Sequence, residues 1–369
     1  MRLGLKPEQA PLGSHEPPGL RYFLIVASRC EGAAGGIRRL RDALTGGFAM
    51  PDGGTNMSMP NSAVLARAIT TSRSNALRDY LTLMKPGVML LVLVTTAASM
   101  WVALGEAPHP WTLFLTLVGT LLAGGSAATL NHVLDRDMDA AMPRTSRRPI
   151  AAGRIRPGQA TVFAVVLGVV SFALLYTQVN PLAAYLAVGG IAFYVLIYTA
   201  WLKRRTPQNI VIGGAAGAVG PLIGWAAATG RLEVAALVLF LIVFFWTPPH
   251  FWALAVALRD EYARARVPML PVVAGVEATL RQVYFYTWVT VAVTLAMLPL
   301  GQLGWTYAVV AVVLGARYLR LTRGLLRQTT EGRARALYGY SIVYLFGVFG
   351  AMVLDVTLHQ VVNALLGRM

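Results

Sequence analysis

Residues 111–139 read Trp111-Thr-Leu-Phe-Leu-Thr-Leu-Val-Gly-Thr-Leu-Leu-Ala-Gly-Gly-Ser-Ala-Ala-Thr-Leu-Asn131-His132-Val133-Leu134-Asp135-Arg136-Asp137-Met138-Asp139. The first part of this stretch holds no charged side chain, and about 20 such residues in an α-helix cross the hydrocarbon of a bilayer. The last part turns abruptly polar. A membrane-crossing helix that ends in three aspartates is the unit from which the rest of the chain is read.

Comparable apolar runs begin near Val88, Gln159, Pro181, Asn209, Leu232, Leu280, Leu303 and Tyr338, so that nine spans are predicted. Composition agrees: 56% of residues are hydrophobic and 13% charged, with a mean hydropathy of +0.59, whereas soluble domains carry about 25% charged residues. The expected fold class is an all-α integral membrane protein.

The formal net charge of +16 would suggest nucleic acid in a soluble protein. Here the placement of the charges excludes that partner. Arg78 and Lys85 precede the first span, and the basic clusters 136–156, 203–205, 259–266 and 317–335 each follow an even-numbered span. The connections after odd-numbered spans, such as 105–110, 178–180 and 299–302, hold no lysine or arginine, with Arg231 the exception. By the positive-inside rule the N-terminus and the basic loops are cytoplasmic and the C-terminus is outside. Membrane lipid is the surrounding partner.

Residues 1–75 are rich in Gly, Pro, Ser and Arg and contain Met50, Met57 and Met59 as alternative starts. They read as a disordered or mis-assigned N-terminal extension, followed by one membrane domain over 76–369. Glu8, Glu16, Glu31 and Asp42 argue against an organelle-targeting peptide. Cys30 is the single cysteine, which excludes an intramolecular disulfide and a cysteine-held metal centre.

With no soluble domain left for catalysis, chemistry is sought at the cytoplasmic helix ends. Asn131, Asp135 and Asp139 recur at i, i+4 and i+8, which places them on one helical ridge while Asp137 points elsewhere. Hard oxygen ligands of this kind suit Mg²⁺, which is held by one or two carboxylates plus substrate phosphates. The ridge therefore predicts a diphosphate substrate. The alternative is that these acids solvate a helix end and pair with Arg136, Arg144, Arg147 and Arg148. Against it, carboxylates at a helix C-terminus oppose the dipole, a cost that a bound cation offsets.

Arg144 and Arg148, in a loop bounded by Pro143 and Pro149, are candidate diphosphate ligands, because guanidinium groups bind phosphate oxygens bidentately. Lys203, Arg204 and Arg205 read as topology signals. A second polar patch, Arg259-Asp260-Glu261-Tyr262, adds Arg259 as a phosphate candidate and Asp260 as a metal candidate. Before it, Pro248-Pro249 is expected to break the sixth span inside the membrane. That makes His250 a candidate functional imidazole, with a structural histidine as the other reading, and His132 a weaker candidate. The small residues 213–218 predict close helix approach.

The residues Asn131-x3-Asp135-x3-Asp139, Arg144-Thr145-x2-Arg148-Pro149, 198–225, Trp246-Thr247-Pro248-Pro249-His250-Phe251-Trp252-Ala253-Leu254 and Val267-Pro268-Met269-Leu270-Pro271 resemble the heme O synthase family, within the UbiA-type intramembrane prenyltransferases. The resemblance covers about 79–355. It implies nine transmembrane helices around a central cavity, with Asn131, Asp135 and Asp139 as the catalytic and metal-binding motif. It also implies farnesyl diphosphate and heme B as substrates, Mg²⁺ as cofactor and heme O as product, which makes His250 a candidate heme-iron ligand or propionate donor and His132 a weaker heme candidate. Arg264 stands where a second aspartate, four after Asp260, is usual in the superfamily, which puts a second metal site in question. The family further implies heme A synthase or a terminal oxidase as the receiving partner. A bacterial plasma membrane is the expected location, with the mitochondrial inner membrane as alternative. The competing functions are a sister prenyltransferase acting on an aromatic acid or quinone precursor, and a polytopic transporter.

Overall fold

The computed structural model describes residues 75–265 and 267–366. The expected extension therefore lies, but for residue 75, outside the described residues. The membrane domain is a bundle of long helices: α1 (Pro86–Leu104), α2 (Pro110–Leu134), α3 (Pro157–Gln178), α4 (Pro181–Arg204), α5 (Asn209–Thr229), α6 (Val234–Ala257), α7 (Val276–Leu300), α8 (Trp305–Arg327) and α9 (Glu331–Leu366). The first four each begin with proline at the first helical position, where a missing N–H costs nothing and the fixed φ favours the helix. Gly105 and Gly230, at φ 67° and 73°, end α1 and α5 in the left-handed conformation that glycine adopts without strain.

Eight of these helices are long and apolar enough to cross a membrane. The ninth expected span, α8, forms as a helix of 23 residues but is not among the eight, because Arg317, Arg320, Arg323 and Arg327 load its second half with charge. It packs between α7 and α9. Sequential helices are neighbours throughout, α9 returns to α1, and α1 also packs on α5 and α6 on α9.

The small residues of α5 serve close approach, as their pattern predicts. A Cβ on Gly224 would meet the Thr96 carbonyl oxygen at 2.2 Å, and one on Gly213 would meet the Tyr198 ring at 2.1 Å. Neither position has room for a side chain.

The double proline does not break α6, which runs through Pro248 and Pro249 as one helix. Both prolines are buried, in a helix held by α5, α7 and α9, and the Thr247 hydroxyl donates to the Val243 carbonyl at 2.9 Å. Packing on several sides and hydroxyl donors re-satisfy freed backbone groups, so a membrane helix tolerates proline that an isolated one does not. Apart from the polar sites, an apolar cavity of about 320 Å³ opens between α4, α5 and α6, bordered by Leu186, Phe193, Val219 and Phe240.

Candidate active site

The end of α2 is the most densely wired polar region. The helix breaks at Asp135 (φ −91°, ψ 3°) and resumes as the short helix Arg136–Ala141, but the Asp139 N–H still donates to the Asp135 carbonyl at 2.8 Å. The ridge thus survives the break. Asn131, Asp135 and Asp139 are all buried, at 2%, 0% and 2% exposure.

Three other elements deliver a cation to this ridge. Lys85, ahead of α1, donates to Asn131 Oδ1 at 2.6 Å. Lys203, at the end of α4, donates to Asp135 Oδ2. Arg148 grips both oxygens of Asp139 at 2.7 and 2.8 Å, while Thr145 donates to the Asp139 carbonyl at 2.9 Å and ties the arginine loop down. Asn131 Nδ2 donates to Asp135 Oδ2 at 2.7 Å and to Thr199 Oγ1 at 3.2 Å. An amide suits position 131 because it accepts from a lysine and donates to a carboxylate at once.

Lys85 is the one non-glycine residue among those described with positive φ, at 53°, a conformation that costs about 1–2 kcal/mol. Burial, followed by repulsion from Arg148 and Lys203, pulls its ammonium down to about 7. Burial alone would raise the Asp139 carboxyl, but His132 and Arg148 hold it below the ordinary carboxylate range; at 3.6 Å His132 is a close neighbour and not a hydrogen-bond partner. Asp137 points away, as its spacing predicts, and pairs with Arg204, whose guanidinium holds it at about 2.

Lys85, Lys203 and Thr199 are the ridge contacts that sequence reasoning misses. The end of α4 is wound as a π-helix over Phe193–Trp201, a rare form that is frequent at functional sites. It stacks Tyr194 on Tyr198, ring centroids 5.2 Å apart, and brings Thr199 and Lys203 onto the ridge. No periodicity announces a π turn, so a basic cluster after a span reads as topology alone.

The other predicted residues are arranged more loosely. Arg144 is exposed and lies within electrostatic reach of Tyr338. Arg259 and Asp260 are exposed at the start of the short helix Arg259–Arg264, and no hydrogen bond or ion pair among the described residues joins them to the ridge. The neighbouring Glu261 instead keeps Oε2 buried without a partner. Tyr198 is within Coulombic reach of both Asp135 and Tyr262, so the two patches do occupy the same end of the bundle. His132 is buried with neither ring nitrogen hydrogen-bonded. His250 lies in α6, apart from the ridge, with Nδ1 2.6 Å from Ser341 Oγ.

The donor set fits a hard cation. Asp135 Oδ1 is buried and unpartnered, beside oxygen ligands from Asn131 and Asp139. Among the described residues no three His, Cys, Asp or Glu side chains converge to cage a metal. Asp135 and Asp139 are matched by Lys203 and Arg148, and Lys85, whose charge burial weakens, stands beside them on Asn131.

A bundle of membrane helices with a buried Asn-Asp-Asp ridge at one end is the architecture of an intramembrane prenyltransferase, and residues 92–349 match the UbiA prenyltransferase family. The chain is 53% identical over 283 residues to the protoheme IX farnesyltransferase of Gloeobacter violaceus, covering 76% of this chain and 93% of that one. It is 50% identical over 282 residues to that of Symbiobacterium thermophilum, covering 76% and 94%. The chain belongs to the UbiA prenyltransferase family and, within it, to the protoheme IX farnesyltransferases. Among solved structures, the fold is similar to that of a digeranylgeranylglyceryl phosphate synthase, with a TM-score of 0.64 at 17% identity over 76% of this chain and 98% of that one. It is also similar to a UbiA homolog from Archaeoglobus fulgidus bound to DMAPP and Mg²⁺, with a TM-score of 0.56 at 18% identity over 74% and 99%.

Proposed function

We propose that this protein transfers the farnesyl group of farnesyl diphosphate to a vinyl group of heme B, with addition of water, giving heme O and diphosphate. The observation that carries the reading is the buried ridge of Asn131, Asp135 and Asp139 with one cation placed on each member. The identity to protoheme IX farnesyltransferases selects heme as the acceptor over an aromatic acid or quinone precursor.

Asp135 and Asp139, with Asn131, are the residues to hold Mg²⁺, which when bound would offset charge on the leaving diphosphate. Lys85, Lys203 and Arg148 are preorganised around the same point. In the resting protein they neutralise the carboxylates, and on substrate binding they turn their donors to phosphate oxygens as negative charge develops there. The farnesyl C1 thus gains cationic character as its C–O bond to diphosphate breaks, the vinyl group of heme B attacks it to form the new C–C bond, and water captures the resulting carbocation on the porphyrin side and gives up one proton, leaving the hydroxyl of heme O. Tyr194 and Tyr198 wall the ridge and keep bulk water from the allylic cation.

The protein is a multi-pass membrane protein, and the basic loops orient it with the ridge toward the cytoplasm. Its bacterial relatives support a plasma membrane location. Heme O passes on to heme A synthase or a terminal oxidase in this reading. The test supplies membranes with heme B, farnesyl diphosphate and Mg²⁺ and analyses extracted hemes by mass. Heme O from wild type and none from equally abundant Asp135→Asn supports the reading. Prenylation of an aromatic acid with heme B untouched overturns it.

A further inference from the structure

We propose that Ser341 fixes His250 as its Nδ1–H tautomer and so presents the Nε2 lone pair as a ligand to the iron of the heme substrate, an inference that rests on the proposed heme activity. The His250 ring is clamped between Trp246, centroids 4.2 Å apart and 20° from parallel, and Tyr338, at 4.6 Å and 26°. Trp246 is itself anchored by its Nε1–H, which donates to the Ser341 carbonyl at 2.7 Å. With both faces covered, the imidazole has one orientation.

Ser341 Oγ lies 2.6 Å from His250 Nδ1 and 2.6 Å from the Tyr338 carbonyl. It has one proton for two neighbours. Given to Tyr338, the proton leaves Oγ as acceptor, the imidazole donates through Nδ1–H, and the serine and imidazole donors are both used. Given to Nδ1, it moves the imidazole proton to Nε2, which makes no hydrogen bond among the described residues, and a donor is wasted. The first arrangement wins.

Nε2 is then an acceptor that makes no hydrogen bond among the described residues, on a side chain that is itself buried, at 8% exposure. Fixing the tautomer through the other ring nitrogen is how proteins prepare a histidine for a metal. His250 lies seven residues before Ala257, the end of α6, or about 10 Å deep along the helix. Tyr338, stacked on it, is within electrostatic reach of Arg144 and Tyr262 at the ridge end. A macrocycle ligated there lies beneath the diphosphate site.

The experiment titrates ferric heme B into the purified full-length protein in detergent and records absorption and electron paramagnetic resonance spectra. Wild type is expected to show an imidazole-ligated heme. His250→Ala loses that signature and regains it with added imidazole. Ser341→Ala binds heme about tenfold more weakly with a mixed spectrum, the scale for losing an outer partner of a metal ligand, and Ser341→Thr behaves as wild type. Heme uptake with an unchanged spectrum in His250→Ala overturns the ligation and leaves the substrate reading standing. A wild-type spectrum and affinity in Ser341→Ala overturns the tautomer role. Wild-type protein that takes up no heme overturns both readings.

Discussion

The polar patches after α2 and after α6 begin from similar ingredients, acids and arginines at the end of a membrane helix, and come to different ends. After α2 each polar member of the ridge meets a cation from another element: Lys85 from before α1, Lys203 from α4 and Arg148 from the following loop. After α6, Arg259 and Asp260 are exposed, and the buried oxygen belongs to Glu261. An acid at a helix end becomes a site when other elements supply what faces it. A buried carboxylate without such partners is costly.

The largest expected effect is therefore at the ridge. Asp135→Asn should lower farnesyl transfer by roughly 10²–10³-fold, the scale of removing one preorganised charge-stabilising group, as read by heme O formation in membranes. Lys203→Met should come next, at roughly 10²-fold; near-normal turnover would mean that the α4 cation is only a topology signal after all. Lys85→Gly separates strain from function. It relieves the positive φ while losing the Asn131 contact, so thermal stability should change by no more than about 1 kcal/mol while activity falls steeply. Thr199→Val, which removes an outer partner of Asn131, is expected to cost about tenfold, visible as a raised Mg²⁺ requirement. Asp260→Asn is expected to change activity by less than about threefold, within the range of surface substitutions. A loss as large as that of Asp135→Asn would erase the contrast between the two patches.

Much of this was legible in the chain itself. Apolar runs located the long helices to within a few residues at most starts, because the bilayer imposes a length and excludes charge. The i, i+4, i+8 spacing placed Asn131, Asp135 and Asp139 together and turned Asp137 away. Spacing misled at Pro248-Pro249, where neighbouring helices keep α6 continuous. At α8 a helix forms where the ninth span is expected, but the arginines of its second half keep it out of the eight that are apolar enough to cross. Lys203 read as topology and Thr199 went unmarked, since a π turn shifts which residues face inward without leaving a mark on composition.

The sequence by itself determined the class of protein, the helical plan and the acidic ridge, since hydrophobicity, charge placement and helical period are local properties of the chain. Only the tertiary structure decided which cation meets which ridge residue, that Glu261 and not Asp260 has a carboxylate oxygen sealed from solvent, and that Ser341 stands against His250. Those pairs join residues far apart in the chain, from Lys85 to Asn131 and from His250 to Ser341, and what brings them together is the packing of helices on one another.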